Sequence, residues 1–137
     1  MEIEIDPLSA TPIYQQIRDQ VVEAIGSGRL RRGDALASVR SVAGAFGINP
    51  ATVAKAYDLL RSEGLVATNA KSGTFVARDV TMTTPSEAFV EDWTARPHTL
   101  LAEGRAQGLT GDRVLGLTTA TTRKLAVDDP VDTRPSV

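Results

Sequence analysis

A chain of 137 residues, 42% apolar and 23% charged, suffices for one ordinary domain, or for a small domain with an appendage, around a mainly aliphatic core. The absence of cysteine excludes a disulfide scaffold, a thiolate zinc site and a cysteine nucleophile, and the single histidine, His98, excludes a multi-histidine metal site. The net charge of −2 conceals a basic centre: residues 29–78 carry eight bases against three acids, between acidic flanks, as in a module with one surface turned toward a polyanion.

No apolar run approaches the ~20 residues needed to cross a bilayer. The opening Met1-Glu2-Ile3-Glu4-Ile5-Asp6 is acidic and alternating, the opposite of a secretion signal. The expectation is a soluble, cytoplasmic chain with no membrane partner. Alternation of Ile3 and Ile5 suggests a short strand. Thr11-Pro12 predicts a helix start, with Thr as the cap and Pro at the first helical position. Ile13, Ile17, Val21 and Ile25 then form one apolar stripe, and Gly26-Ser27-Gly28 ends it.

Residues 29–37 read as a loop. Ser38 predicts the cap of a short second helix whose apolar positions are Val39, Val42, Ala43 and Phe46. Gly44 inside it costs about 1 kcal/mol against Ala, so this helix depends on packing. Gly47 suits a left-handed terminus. Asn49-Pro50 repeats the cap-plus-Pro start, and a third helix to about Ser62 buries Val53, Ala56, Tyr57 and Leu60. Two strands follow, 65–68 and 74–77, around the turn Asn69-Ala70-Lys71-Ser72-Gly73.

After Arg78 the texture changes. Residues 79–85 read as a linker. Ser86 caps a further helix carrying Phe89, Val90 and Trp93, which Pro97 should kink or split before Leu100 and Leu101 resume the apolar face. Thr110 begins a last helix with Val114, Leu115 and Leu117, expected to fade into the threonine run from Thr118 to Thr122. Residues 126–137 lack periodicity and read as a disordered tail. The expected division is 1–78, 79–85, 86–125 and 126–137: DNA-binding domain, linker, helical appendage, tail.

Three helices and then a hairpin is the order of a winged helix-turn-helix, an α+β fold, here followed by a short two-helix appendage. The tight Phe46-Gly47-Ile48-Asn49 connection is what a helix-turn-helix requires. The third helix would enter the major groove by its N-terminal end, and the hairpin would serve as the wing. Ala51 and Thr52 permit close approach to bases, with Asn49 at the cap. Thr52 can meet a thymine methyl, and Lys55, one turn on, can reach a phosphate. A protein-interaction winged helix without sequence-specific DNA binding is the alternative. An enzyme is not expected, because there is no glycine-rich phosphate loop, paired-carboxylate context or supported triad. No cofactor and no metal are expected.

Several segments resemble the DNA-binding domain of the GntR family of bacterial transcription regulators. They are Pro12-Ile13-Tyr14-Gln15-Gln16-Ile17, Gly28-Arg29-Leu30 with Gly33-Asp34-Ala35-Leu36, Ser38-Val39-Arg40, Thr52-Val53 with Ala56-Tyr57, Glu63-Gly64-Leu65-Val66 and Gly73-Thr74-Phe75-Val76. The stretch Ile48-Asn49-Pro50-Ala51-Thr52-Val53 is similar to the YtrA subfamily, and the short appendage fits it. The resemblance implies a homodimeric repressor of a pseudo-palindromic operator. It implies that Arg40 contacts DNA, usually a guanine, that Ser38 and Thr52 hold phosphate, and that Gly73 and Thr74 belong to the wing, with Lys71 at its tip. Many relatives have Ser-Arg where this chain has Asn49-Pro50, and Arg where it has Ala54-Lys55, so a helix-three arginine reader is missing. Dimerisation is assigned to Phe89, Val90, Trp93, Leu100, Leu101, Val114 and Leu117, too many large apolar groups for two helices to expose alone; folding back on the winged domain is the alternative. A small-molecule effector in a pocket of Phe89, Trp93 and His98 is weighed against ordinary dimer packing, and packing is preferred.

Overall fold

The computed structural model describes residues 2–125. Its elements are α1 (Ile13–Gly26), α2 (Val39–Phe46), α3 (Pro50–Ser62), β1 (Val66–Asn69), β2 (Gly73–Val76), α4 (Glu87–Ala106) and α5 (Gly111–Leu125). The predicted winged helix-turn-helix and its two-helix appendage are both present. The expected tail, 126–137, lies outside the described residues.

One core serves the first half. Ile17, Val21, Ala24 and Ile25 of α1 meet Val53, Ala56, Tyr57 and Leu60 of α3, with Val42 and Ala43 of α2 and Val66 and Val76 of the hairpin closing the cluster. The α3 stripe is buried as its four-residue spacing requires. Burying each side chain of Val or Leu size stabilises the fold by about 1.5–3 kcal/mol. Phe46 departs from expectation: it remains 40% exposed, and α2 packs through Val42 and Ala43 instead.

Of the three helices of the winged domain, two start at their predicted caps. Ser38 Oγ accepts from the Ser41 amide at 3.0 Å, and Asn49 Oδ1 accepts from the Ala51 amide at 2.9 Å ahead of Pro50. At α1 the flanking residue is Pro12, with no side-chain cap, and the Thr11 carbonyl instead accepts from the Gln16 side chain. The reason lies in what precedes. The segment around Glu4 and Asp6 runs beside α1 without becoming a strand. The Gln20 amide group accepts from the Glu4 N–H and donates to the Glu4 carbonyl, and Gln16 does the same for Asp6. Two glutamines one turn apart thus supply the donor–acceptor pairs of a strand edge, and Ile3 and Ile5 pack on the core.

The hairpin is antiparallel, pairing Val66 with Val76, Ala67 with Phe75, Thr68 with Thr74 and Asn69 with Gly73. Its free edge is covered by the loop before α2. The Gly33 amide donates to the Val76 carbonyl, Val76 to Asp34 and Leu36 to Thr74, at 2.8–2.9 Å. The third extended partner of the sheet is therefore residues 33–36, not the N-terminus.

Two expectations for the appendage are corrected, the splitting of its first helix and the fading of its second. Of the kink or split expected at Pro97, the split is excluded, because α4 runs unbroken from Glu87 to Ala106. On a solvent-facing helix the single missing amide leaves one carbonyl that water can satisfy. Nor does α5 fade: the hydroxyls of Thr118, Thr121 and Thr122 donate to the carbonyls four residues back, at 2.7–2.9 Å, which reconciles them with helix. The two helices meet at their connection. A Cβ at Gly104 would stand 3.1 Å from Leu109 Cδ1 and 3.7 Å from Val114 Cγ2, so a larger residue there would require the Leu109 side chain to shift.

Candidate nucleic-acid interface

The turn between α2 and α3 is fixed by backbone geometry. Gly47 sits at φ 64° and ψ 35°, a left-handed conformation that a side chain would strain, and the Ile48 amide closes the turn on the Ala43 carbonyl at 3.1 Å. Tyr57, buried in α3, donates its hydroxyl to the Ala37 carbonyl at 2.6 Å. That bond ties the core of α3 to the residue preceding the Ser38 cap, so α2 starts at a set place relative to α3. Burial pushes the Tyr57 hydroxyl pKa up, which keeps it a donor.

The residues singled out in the sequence lie on these elements as follows. Ser38 and Arg40 are exposed at the start of α2, and Asn49 and Ala51 are exposed at the start of α3, with Thr52 half-buried and Lys55 exposed one turn on. The cap bonds use only the acceptors of Ser38 and Asn49, leaving the Ser38 O–H and the Asn49 amide N–H₂ able to donate outward. Arg40 has no ion pair among the described residues. Asp34 accepts from the Arg31 amide and Asp58 pairs with Arg61, so neither acid holds Arg40. Lys55 is positioned: its Nζ lies 3.9 Å from the centroid of the Tyr14 ring, a cation–π contact.

At the wing, Lys71 and Gly73 are exposed in the turn and Gly73 adopts φ +66°. Asn69 Oδ1 accepts from the Ser72 amide and closes the turn. Thr74 sits one pair from the tip, opposite Thr68, their hydroxyls 3.0 Å apart. Three residues escape sequence reasoning. By spacing Tyr14 is only a neighbour to an apolar stripe, and Arg61 is only one of eight bases. Asp79 falls in the expected linker but is buried, accepting from the Arg32 amide and from the amide and hydroxyl of Thr81. The Thr81 hydroxyl first, then the Arg32 and Thr81 amides, hold its carboxyl below the ordinary range. An Asp followed two residues on by Thr is a local turn signal that could have flagged it.

On the appendage, Phe89, Val90, Trp93, Leu100, Leu101 and Leu117 are exposed, and so is Leu115 at 67%. Val114 differs, being half-buried where α5 meets Gly104. Phe89 and Trp93 line a groove of about 580 Å³ against Val22, Ile25 and Leu65 of the winged domain, and His98 is not among its lining residues. Among the described residues no helix is long and apolar enough to cross a membrane, and no group of three or more His, Cys, Asp or Glu side chains is placed to hold a metal ion.

Residues 13–76 match the family described as bacterial regulatory proteins, gntR family. The chain is 43% identical over 81 residues to the HTH-type transcriptional repressor YtrA of Bacillus subtilis (strain 168), covering 59% of this chain and 62% of that one. It spans about three fifths of the length of the curated relatives it matches first. Among solved structures, YtrA from Sulfolobus acidocaldarius, a GntR-family transcription factor, is 31% identical with a TM-score of 0.53, over 89% of this chain and 97% of that one. A transcriptional antiterminator from Listeria monocytogenes EGD-e is 26% identical with a TM-score of 0.82, over 96% and 98%. The chain belongs to the GntR family and is YtrA-like within it.

Proposed function

We propose that this chain is a transcription regulator that binds a pseudo-palindromic duplex operator as a homodimer and acts as a repressor in the cytoplasm. The observation that carries the reading is the exposed first turn of α3, set beside exposed Arg40 and an exposed wing, in a GntR-family chain. In this reading α3 lies in the major groove with Ala51 and Thr52 against base edges. Arg40 reads a guanine from the start of α2. Ser38, Asn49 and Lys55 hold phosphates, and Lys71, Gly73 and Thr74 follow the backbone. Homodimerisation rests on Phe89, Val90, Trp93, Leu100, Leu101 and Leu117, whose exposure on α4 and α5 asks for a cover. Val114 contributes by holding the two helices together.

The test is selection of bound sequences from random duplex DNA, with sedimentation of the free protein and of the complex. Recovery of an inverted repeat bound by two chains is the expected result. Retention of no duplex at low salt would leave the fold as a protein-interaction module. Binding of a single half-site by one chain would remove the dimer from the proposal. Removing residues 86–137 keeps the whole buried core and the Asp79 turn, so the remainder should fold, sediment as a monomer and bind the repeat far more weakly.

A further inference from the structure

The hairpin is anchored unevenly. At its base Val66 and Val76 are buried in the core, while Thr68, Asn69 and Gly73 toward the tip are exposed. The apolar core therefore cannot hold the outer half of the wing. A chain of polar contacts does so on the edge nearest α3. Arg61, in the last turn of α3, donates from Nη1 to Thr68 Oγ1 at 2.7 Å, and Thr68 meets Thr74 across the ladder at 3.0 Å. Arg61 is itself gripped from behind, its Nη2 donating to Asp58 Oδ1 one turn back on the same helix. The planar guanidinium thus spans a carboxylate on α3 and a hydroxyl on β1, a bridge that a point-like ammonium cannot make. The opposite edge of β2 is held by residues 33–36, through Leu36 N–H to the Thr74 carbonyl, so Thr74 is tied from both sides.

We infer that Arg61 is a positioning residue: through Thr68 and Thr74 it fixes the angle between the wing and the recognition helix, and so the place at which Lys71 and Gly73 meet the DNA backbone. The inference deepens the DNA-binding reading and rests on it for the consequence, though not for the strut itself. It assigns to Arg61, a member of the basic centre, a role that is not contact with phosphate. A wing held at a set angle binds with less ordering cost than a free one, because the conformational entropy is already lost in the unbound protein.

The experiment compares the parent chain with Thr68→Val, Arg61→Ala and the double variant. Thr68→Val keeps a β-branched strand residue of the same shape and removes only the hydroxyl, so it carries no charge change and little risk to folding. Two readouts are taken. In the free protein, amide hydrogen exchange at residues 69–74 should quicken by about 2- to 10-fold in each variant, the opening expected when one hydrogen bond is removed, while α1 and the first three turns of α3 exchange as in the parent. On the duplex selected above, affinity should fall by about 2- to 10-fold in each single variant, with the double no worse than the weaker single, since both cut one strut.

Thr68→Val neutral in both readouts, with Arg61→Ala weak and its dependence on salt shallower, would mean that Arg61 binds phosphate directly and would overturn the inference. Unchanged exchange at 69–74 in both variants would also overturn it, whether or not any duplex is bound. Quickened exchange in the variants of a chain that selects no duplex would uphold the strut and refute the DNA-binding reading alone.

Discussion

Replacing Arg40 by lysine separates a base-reading arginine from a structural one. Arg40 is the second residue of α2, exposed, and without an ion pair among the described residues. The acids that flank it in sequence on either side are otherwise occupied: Asp34 closes on the Arg31 amide at 2.8 Å, and Asp58 grips Arg61. Arg40→Lys therefore breaks no ion pair. Arg and Lys have nearly equal helix propensity, so stability should stay within about 0.5 kcal/mol of the parent. Binding should respond differently. Lysine keeps the charge but loses the planar fork that bonds guanine O6 and N7 together. Loss of one bidentate pair costs about 1–3 kcal/mol, a factor of about 5 to 150 at each half-site. Fluorescence anisotropy at fixed salt should show that loss on the selected duplex. On a duplex changed at the one symmetric pair of positions that Arg40 reads, parent and variant should bind alike. Equal affinity of parent and variant for the unaltered operator would refute the assignment of Arg40 as a reader. A thermal midpoint lowered by several degrees would show instead that Arg40 carries structure.

Gly47→Ala should destabilise the winged domain by about 1–2 kcal/mol, the cost of a left-handed residue with a Cβ. Nothing stands within 4 Å of that Cβ, so no clash adds to it; urea unfolding checks the figure, and a neutral substitution would contradict the turn geometry. Asp79→Asn should cost about 1.5–3 kcal/mol at neutral pH, because the carboxylate accepts from the Arg32 amide and twice from Thr81. Its folded pKa lies below the ordinary 3.8, so the stabilisation is complete above about pH 4 and fades as pH falls through the folded value. Chemical denaturation at pH 7 and pH 3 should show the gap between parent and variant narrowing, and a gap that widens in acid would reverse the sign of the argument. Lys71→Ala should weaken binding to every duplex alike and make the slope of log K against log salt shallower by about 0.9 for each phosphate no longer neutralised; titrations at several salt concentrations read this directly.

How much of this was legible depended on the range of each signal. The Ser38 and Asn49 caps, Gly47 and the α3 stripe are written within a few residues of one another, and each appears where the spacing placed it. Features that join distant segments were not legible. Gln16 and Gln20 read as polar positions on α1, yet they hold the N-terminal segment. The loop at 33–36 carries no strand pattern, yet it completes the sheet, because β2 offers a free edge that only the folded chain brings to it. The split weighed at Pro97 and the fading expected of the threonine run misled for a local reason: helix propensity counts a missing amide or a β-branched carbon as a cost. It does not count a carbonyl that water can satisfy in the one, or a hydroxyl that bonds back along the helix in the other.

The same limit governs the basic centre, from which the functional argument began. Counting charge treats its bases as equivalent, whereas the fold divides them. Arg29 donates to Ser27, Arg78 to the Met82 carbonyl, and Arg61 to Asp58 and Thr68. Those bonds hold loops and the wing in place. Lys55 rests on Tyr14, exposed beside the first turn of α3. Arg40 and Lys71 stand exposed at the start of α2 and in the wing turn. Of the eight bases, Arg40, Lys55 and Lys71 stand exposed on the three elements that a winged helix-turn-helix turns toward DNA, whereas the side chains of Arg29, Arg61 and Arg78 bond within the fold. The case for DNA thus lies less in the excess of positive charge than in where the exposed cations Arg40, Lys55 and Lys71 stand, and a charge count cannot make that distinction before the fold does.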